Sequence, residues 1–128
     1  AMHAEEVELL KRRAKGFLRA AKSSLKDGDY DLACFMAEQS AQLYLKAVIL
    51  EISGEMPRTH SIRSLLSILS TLLKKQVKYD RKSLIFLESA YINARYLGVV
   101  YEKEDAEEAV RIAEGIMELV DRVRKEEG

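Results

Sequence analysis

Residues 30–53 read Tyr30-Asp-Leu-Ala-Cys-Phe-Met-Ala-Glu-Gln-Ser-Ala-Gln-Leu-Tyr-Leu-Lys-Ala-Val-Ile-Leu-Glu-Ile-Ser53. Leu32, Phe35, Met36, Leu43, Ala47 and Leu50 recur at helical spacing. Ala33, Ala37, Ala41, Leu45, Val48 and Ile52 widen the apolar surface past the arc of an ordinary surface helix. Such a helix has to be covered on several sides, so it is expected to be the central rod of the fold. Its polar residues are ordered as well. Glu38, Gln42 and Lys46 lie four apart with Gln39 beside them, which aligns all four on one strip and predicts a single polar seam.

The flanking segments read as helices around that rod. Glu5 to Lys26 sets Leu10, Ala14, Phe17, Leu18, Ala21 and Leu25 on one face and Arg12, Lys15, Arg19, Lys22 and Lys26 on the other. Asp27-Gly28-Asp29 is a short turn, with Gly28 suited to a left-handed residue and Asp29 to capping the next helix, so the first two helices are expected to pack antiparallel. After Ser53-Gly54, a loop through Pro57 leads to Thr59 or Ser61 as cap of a third helix, Ile62 to Leu73. Asp80 caps a fourth helix, about Arg81 to Tyr96, on which Glu88, Tyr91 and Arg95 share a face. A last helix opens on Glu104, Asp105, Glu107 and Glu108, acids that suit the positive end of the helix dipole. No segment alternates like a strand. The fold class is all-α, an antiparallel up-and-down bundle of about five helices.

Composition narrows the functional classes. The 128 residues suit one domain able to bury a core without disulfides or a structural metal. With 21 basic and 21 acidic residues the net charge is zero, so binding to polyanions has to come from local clusters such as Arg12 to Lys26 or Lys74 to Lys82; a solvated face is the plainer reading of both. Cys34 is the single cysteine, and a reducing cytoplasm is its simplest home. No apolar run is long enough for a membrane span, and Ala1-Met2-His3 reads as an expression remnant. The two histidines stand apart and the cysteine sits in an apolar helix, so neither a metal site nor a cofactor is expected. No catalytic triad can be argued.

Four pieces in this order resemble the HEPN family, the higher eukaryotes and prokaryotes nucleotide-binding domain. They are Gly28-Asp29-Tyr30 with Ala33 and Phe35-Met36-Ala37-Glu38-Gln39-Ser40-Ala41; Leu45-Lys46-Ala47; Thr59-His60-Ser61-Ile62; and Asn93-Ala94-Arg95-Tyr96. The acidic opening Glu104 to Ala109 is similar to the family's last helix, so the resemblance takes in residues 1–128 as a single HEPN-like helical domain. It implies frequent homodimerisation and one of two modes of action. One is metal-independent endoribonuclease activity, which in the family depends on an Arg followed after four to six residues by a His. Arg95 is followed by Tyr96, Leu97, Gly98, Val99, Val100 and Tyr101, with no His downstream. RNA cleavage through the 2′-hydroxyl needs a group that exchanges a proton near neutral pH, and Arg cannot supply it. The other mode is a non-catalytic partner of a minimal nucleotidyltransferase, in a toxin–antitoxin-like pairing, associated with nucleotide or RNA. That mode is the one favoured here, with an altered endoribonuclease or a ligand-free homodimeric scaffold as alternatives.

The nucleotide-binding candidates are Arg95, Tyr96, Tyr91, Lys46 and His60. Arg95 with Tyr91 and Glu88 would present a guanidinium to phosphate, and Tyr96 would stack on a base. His60 would contact phosphate or act as a base, against the plainer role of packing at a helix start. Lys46 would reach phosphate helped by Gln39 and Gln42, or else run outward and pair with Glu38 or Gln42. Val99, Val100 and Tyr101 are an apolar remainder suited to a dimer surface.

Overall fold

A computed structural model of the chain describes residues 3–94 and 98–127. The first turn forms as its residues dictate. α1 (Ala4–Lys26) closes at Asp27, Gly28 takes a left-handed φ of 82° that a side chain would resist, and α2 (Tyr30–Ser53) returns antiparallel along it. Asp29 stands at the N-cap position of α2, but its side chain makes no capping bond, contrary to the expected role. Gly54, at φ 78°, ends α2 with its N–H donating to the Leu50 carbonyl.

Ser61 caps α3 (Ile62–Leu73) by accepting from the Ser64 N–H at 3.2 Å, while Thr59 Oγ1 accepts from the Ser61 N–H. Asp80 caps α4 (Arg81–Ile92) through the N–H and hydroxyl of Ser83, and these bonds hold the exposed Asp80 carboxyl below its ordinary pKa. α4 runs as α-helix to Ile92, Asn93 and Ala94 widen into a π-type turn, and the rest of the expected span, to Tyr96, lies outside the described residues. α5 (Lys103–Glu127) starts with the Asp105 carboxylate accepting from the Glu102 N–H at 2.8 Å, half of a capping box.

α2 touches all four other helices, which is what its wide apolar surface requires. Leu45, Val48 and Ile49 of α2, Ile62, Leu65 and Leu69 of α3, Leu87 of α4, and Ile112, Ile116 and Val120 of α5 meet in one core. Burying each such side chain contributes about 1.5–3 kcal/mol. No strand occurs among the described residues, and no helix is long and apolar enough to cross a membrane. Among the described residues the architecture is an all-α bundle of five helices.

Three surfaces differ from the pattern read along the chain. Leu32, at the start of the apolar stripe of α2, is 44 % exposed, because it faces away from the packed side of that turn, on which Ala33 and Cys34 are fully buried. Tyr101, grouped above with an exposed remainder, is buried: its N–H donates to Asp31, its hydroxyl accepts from the Asn93 amide at 3.0 Å, and its ring packs edge-on to Phe86. Val99 and Val100 do stay exposed. The polar strip of α2 is not open along its length, since Glu38 has no exposed surface and Gln42 very little.

Candidate functional site

The buried end of the polar strip sets the geometry of everything above it. Glu38 Oε1 accepts from the Gln39 amide and Oε2 from the Gln42 amide, both at 2.7 Å, so both carboxylate oxygens are satisfied in the interior. Burial nevertheless outweighs these bonds and the nearby Lys46 charge, pushing the Glu38 pKa up to about 7. Because the Gln42 NH2 points at Glu38, its Oε1 must point the other way. There it accepts from Lys46 Nζ at 3.0 Å and lies 3.0 Å from His60 Nδ1.

That orientation places a proton on the histidine. An amide oxygen can only accept, so His60 Nδ1 carries a proton in this contact, on an exposed ring. The imidazole stacks on Tyr91 of α4, centroids 5.1 Å apart and 17° from parallel, and Tyr91 in turn stacks with Phe35 of α2 at 6.3 Å. Lys46 is half-buried, and burial lowers its pKa while the Glu38 charge opposes that shift. One amide therefore holds an ammonium and an imidazole side by side.

The structure brings Lys46, His60 and Tyr91 together, three of the five residues named from the sequence. Arg95 and Tyr96 lie outside the described residues. Tyr91 stacks with both His60 and Phe35, and so positions the imidazole. Glu88 is engaged elsewhere: its Oε1 accepts from the Arg63 N–H at 2.6 Å and the Ser61 hydroxyl at 3.0 Å, and its Oε2 accepts from Arg63 Nε at 3.1 Å. It fastens α4 to the start of α3. The contributions of Phe35 and Arg63 were missed in the sequence. Phe35 lies three residues before Glu38 on the same helix, a spacing that could have placed it near the strip.

A second polar contact lies on the opposite face of α2. The buried Tyr44 hydroxyl donates to Asp121 of α5, and burial together with that carboxylate raises its pKa. Beside it Glu51 is shared by Lys11 and Arg124, at 3.6 and 3.1 Å. Cys34 is buried, and burial first, then the charges of Asp105 and Asp31, push its thiol to about 12, so it is not a nucleophile near neutral pH. No group of three or more metal-ligating side chains gathers among the described residues.

Comparison with known proteins agrees with this architecture. The family model described as the HEPN domain matches residues 7–123. The chain is similar in structure to TT1696 from Thermus thermophilus, at 30 % sequence identity and a TM-score of 0.78, with 91 % of this chain and 97 % of that one covered. It is also similar to ST0689, described as an archaeal HEPN homologue, at 26 % identity and a TM-score of 0.67 over the same shares of the two chains. No match was found among the curated proteins. A model spanning nearly the whole chain, and the aligned bundle at that identity, show that the chain belongs to the HEPN domain family.

Proposed function

We propose that this HEPN chain, acting over residues 1–128 as one domain, is a non-catalytic partner module of a minimal nucleotidyltransferase, and that it holds a nucleotide, or the end of a polynucleotide, at the His60 face. The observation that supports this reading is the joint anchoring of Lys46 and His60 on Gln42. A phosphate set beside them meets a cation and a polar ring already fixed in place, so little side-chain freedom is lost on binding. The outer face of the imidazole, opposite Tyr91, is available to an aromatic base. Arg95 and Tyr96 follow α4 in the chain and are proposed as further contacts to the same ligand.

A second reading, that the chain is a homodimer, is favoured by a separate observation. Leu32, Phe35 and Ala94 line a depression of about 300 Å³, and Leu32 continues to Val100, which is 75 % exposed. Phe35 belongs both to this apolar patch and to the column under His60, so a second copy seated there would border the nucleotide site.

Titration with ATP and GTP, followed by NMR, tests the first reading. Shifts centred on Lys46, His60 and Tyr91 that weaken about tenfold in Lys46→Ala are expected, a loss of roughly 1.4 kcal/mol. An unchanged spectrum at millimolar nucleotide removes it. RNA incubated with the protein in a chelator is expected to stay intact; cleavage that disappears in His60→Ala would return the endoribonuclease alternative.

A further inference from the structure

We propose that the outer face of α1 is a second binding surface, which holds the phosphodiester backbone of a double-stranded polynucleotide without reading its bases. From Lys11 to Lys26 the chain carries seven cations and no acid, although the whole chain is neutral. At 100° per residue Arg12, Lys15, Arg19, Lys22 and Lys26 fall within an arc of about 80°, in a straight ridge about 21 Å long. All five are exposed.

These cations are not used up inside the fold. Lys22 pairs with Glu114 of α5 at 2.7 Å, with both side chains partly exposed, and Lys11, off the ridge, shares Glu51. Among the described residues, Arg12, Lys15, Arg19 and Lys26 form no ion pair. Gly16 lies inside the helix, beside the ridge. A glycine there costs about 1 kcal/mol relative to alanine. Packing does not require it, because a β-carbon would meet only Arg19 Nη2, at 3.6 Å. The missing side chain leaves only the flexible end of Arg19 over that stretch of backbone.

The partner follows from what the ridge has and lacks. A strand of a duplex lying along it presents about six phosphates, one per 3.4 Å, to five regularly spaced cations. The only aromatic residue of α1, Phe17, is partly buried off the ridge, so unpaired bases would find nothing to stack on, while a duplex needs no such support. None of the exposed large apolar residues lies on α1, so there is nothing to insert into an anionic bilayer. The surface is distinct from the His60 face and does not depend on the reading given to it.

Fluorescence anisotropy with labelled RNA and DNA duplexes tests this, with poly-glutamate and anionic vesicles as competing polyanions. Dissociation constants of about 10⁻⁴ to 10⁻⁶ M are expected, with log affinity falling against log salt at a slope of roughly −3 to −4 for four contacts. Whether RNA or DNA binds more tightly identifies the source. Lys15→Gln with Arg19→Gln should weaken duplex binding about tenfold and flatten the slope by about two. Its circular dichroism and its ATP-induced shifts at His60 should not change. Lys78→Gln with Lys82→Gln, in the other basic run, serves as control. The proposal is overturned if that control abolishes binding while the α1 variant does not, or if the protein binds no duplex, whether or not it binds vesicles or poly-glutamate.

Discussion

Glu38 has two good hydrogen bonds and a fully buried carboxyl, and the balance between them is readable as a function of pH. Burial raises its pKa from 4.5 to about 7, so between those values the folded protein holds a proton that the unfolded chain has released. Stability from this group is therefore fully present below pH 4.5 and is lost as the pH rises to about 7. Glu38→Gln removes the ionisation. Relative to the parent it should gain on the order of 3 kcal/mol between acid and mildly alkaline pH in urea unfolding. A stability difference independent of pH would show that the carboxyl titrates normally. The four-residue spacing from Glu38 to Lys46 was enough to align the strip. It could not reveal the burial of its lower end, because that depends on where neighbouring helices lie.

At the scale of an element, two glycines inside helices should respond oppositely to alanine. Gly16→Ala meets only the flexible end of Arg19, so α1 should gain up to about 1 kcal/mol from propensity, read as a rise in the thermal midpoint. Gly115→Ala would drive a methyl into the Tyr79 ring and hydroxyl, which rest on α5, and should cost about 1–3 kcal/mol. Equal effects would mean that Tyr79 moves aside freely. Lys74 closes α3 with a positive φ of 57° and an exposed side chain, so Lys74→Gly should raise stability by about 1 kcal/mol in chemical denaturation. The caps at Ser61 and Asp80 were legible because capping is local chemistry. Glu88 was not assigned to α3 beforehand, since its partners Ser61 and Arg63 lie 27 and 25 residues away.

For the whole molecule, the exposed apolar patch and the charge asymmetry predict how copies and ligands meet. Leu32 and Val100 line one depression beside the Gly28-Asp29-Tyr30 turn, whose Asp31 neighbour ties α2 to the segment before α5 by accepting the Tyr101 N–H at 2.7 Å. If two copies associate there, Leu32→Glu should convert a dimer to a monomer in light scattering after size exclusion, with helical content unchanged. A parent that is monomeric at high micromolar concentration would remove the homodimer reading. Dimer loss should also alter the nucleotide-induced shifts near Phe35 and Tyr91, while leaving duplex binding by the α1 ridge intact.

Apolar periodicity, the glycine turns and two of the three expected side-chain caps were enough to establish five helices, their order and the inner position of α2, because helix formation and amphipathicity arise from residues close together in the chain. The separate motifs that resemble HEPN proteins could be recognised for the same reason: they are short and their order is linear. The burial of Glu38 and Tyr101, the exposure of Leu32, the Nδ1 proton of His60 and the engagement of Glu88 arise from contacts between residues distant in sequence. Helical spacing specifies which face a side chain occupies; packing against a second helix specifies whether that face meets water, an aromatic ring or a carboxylate.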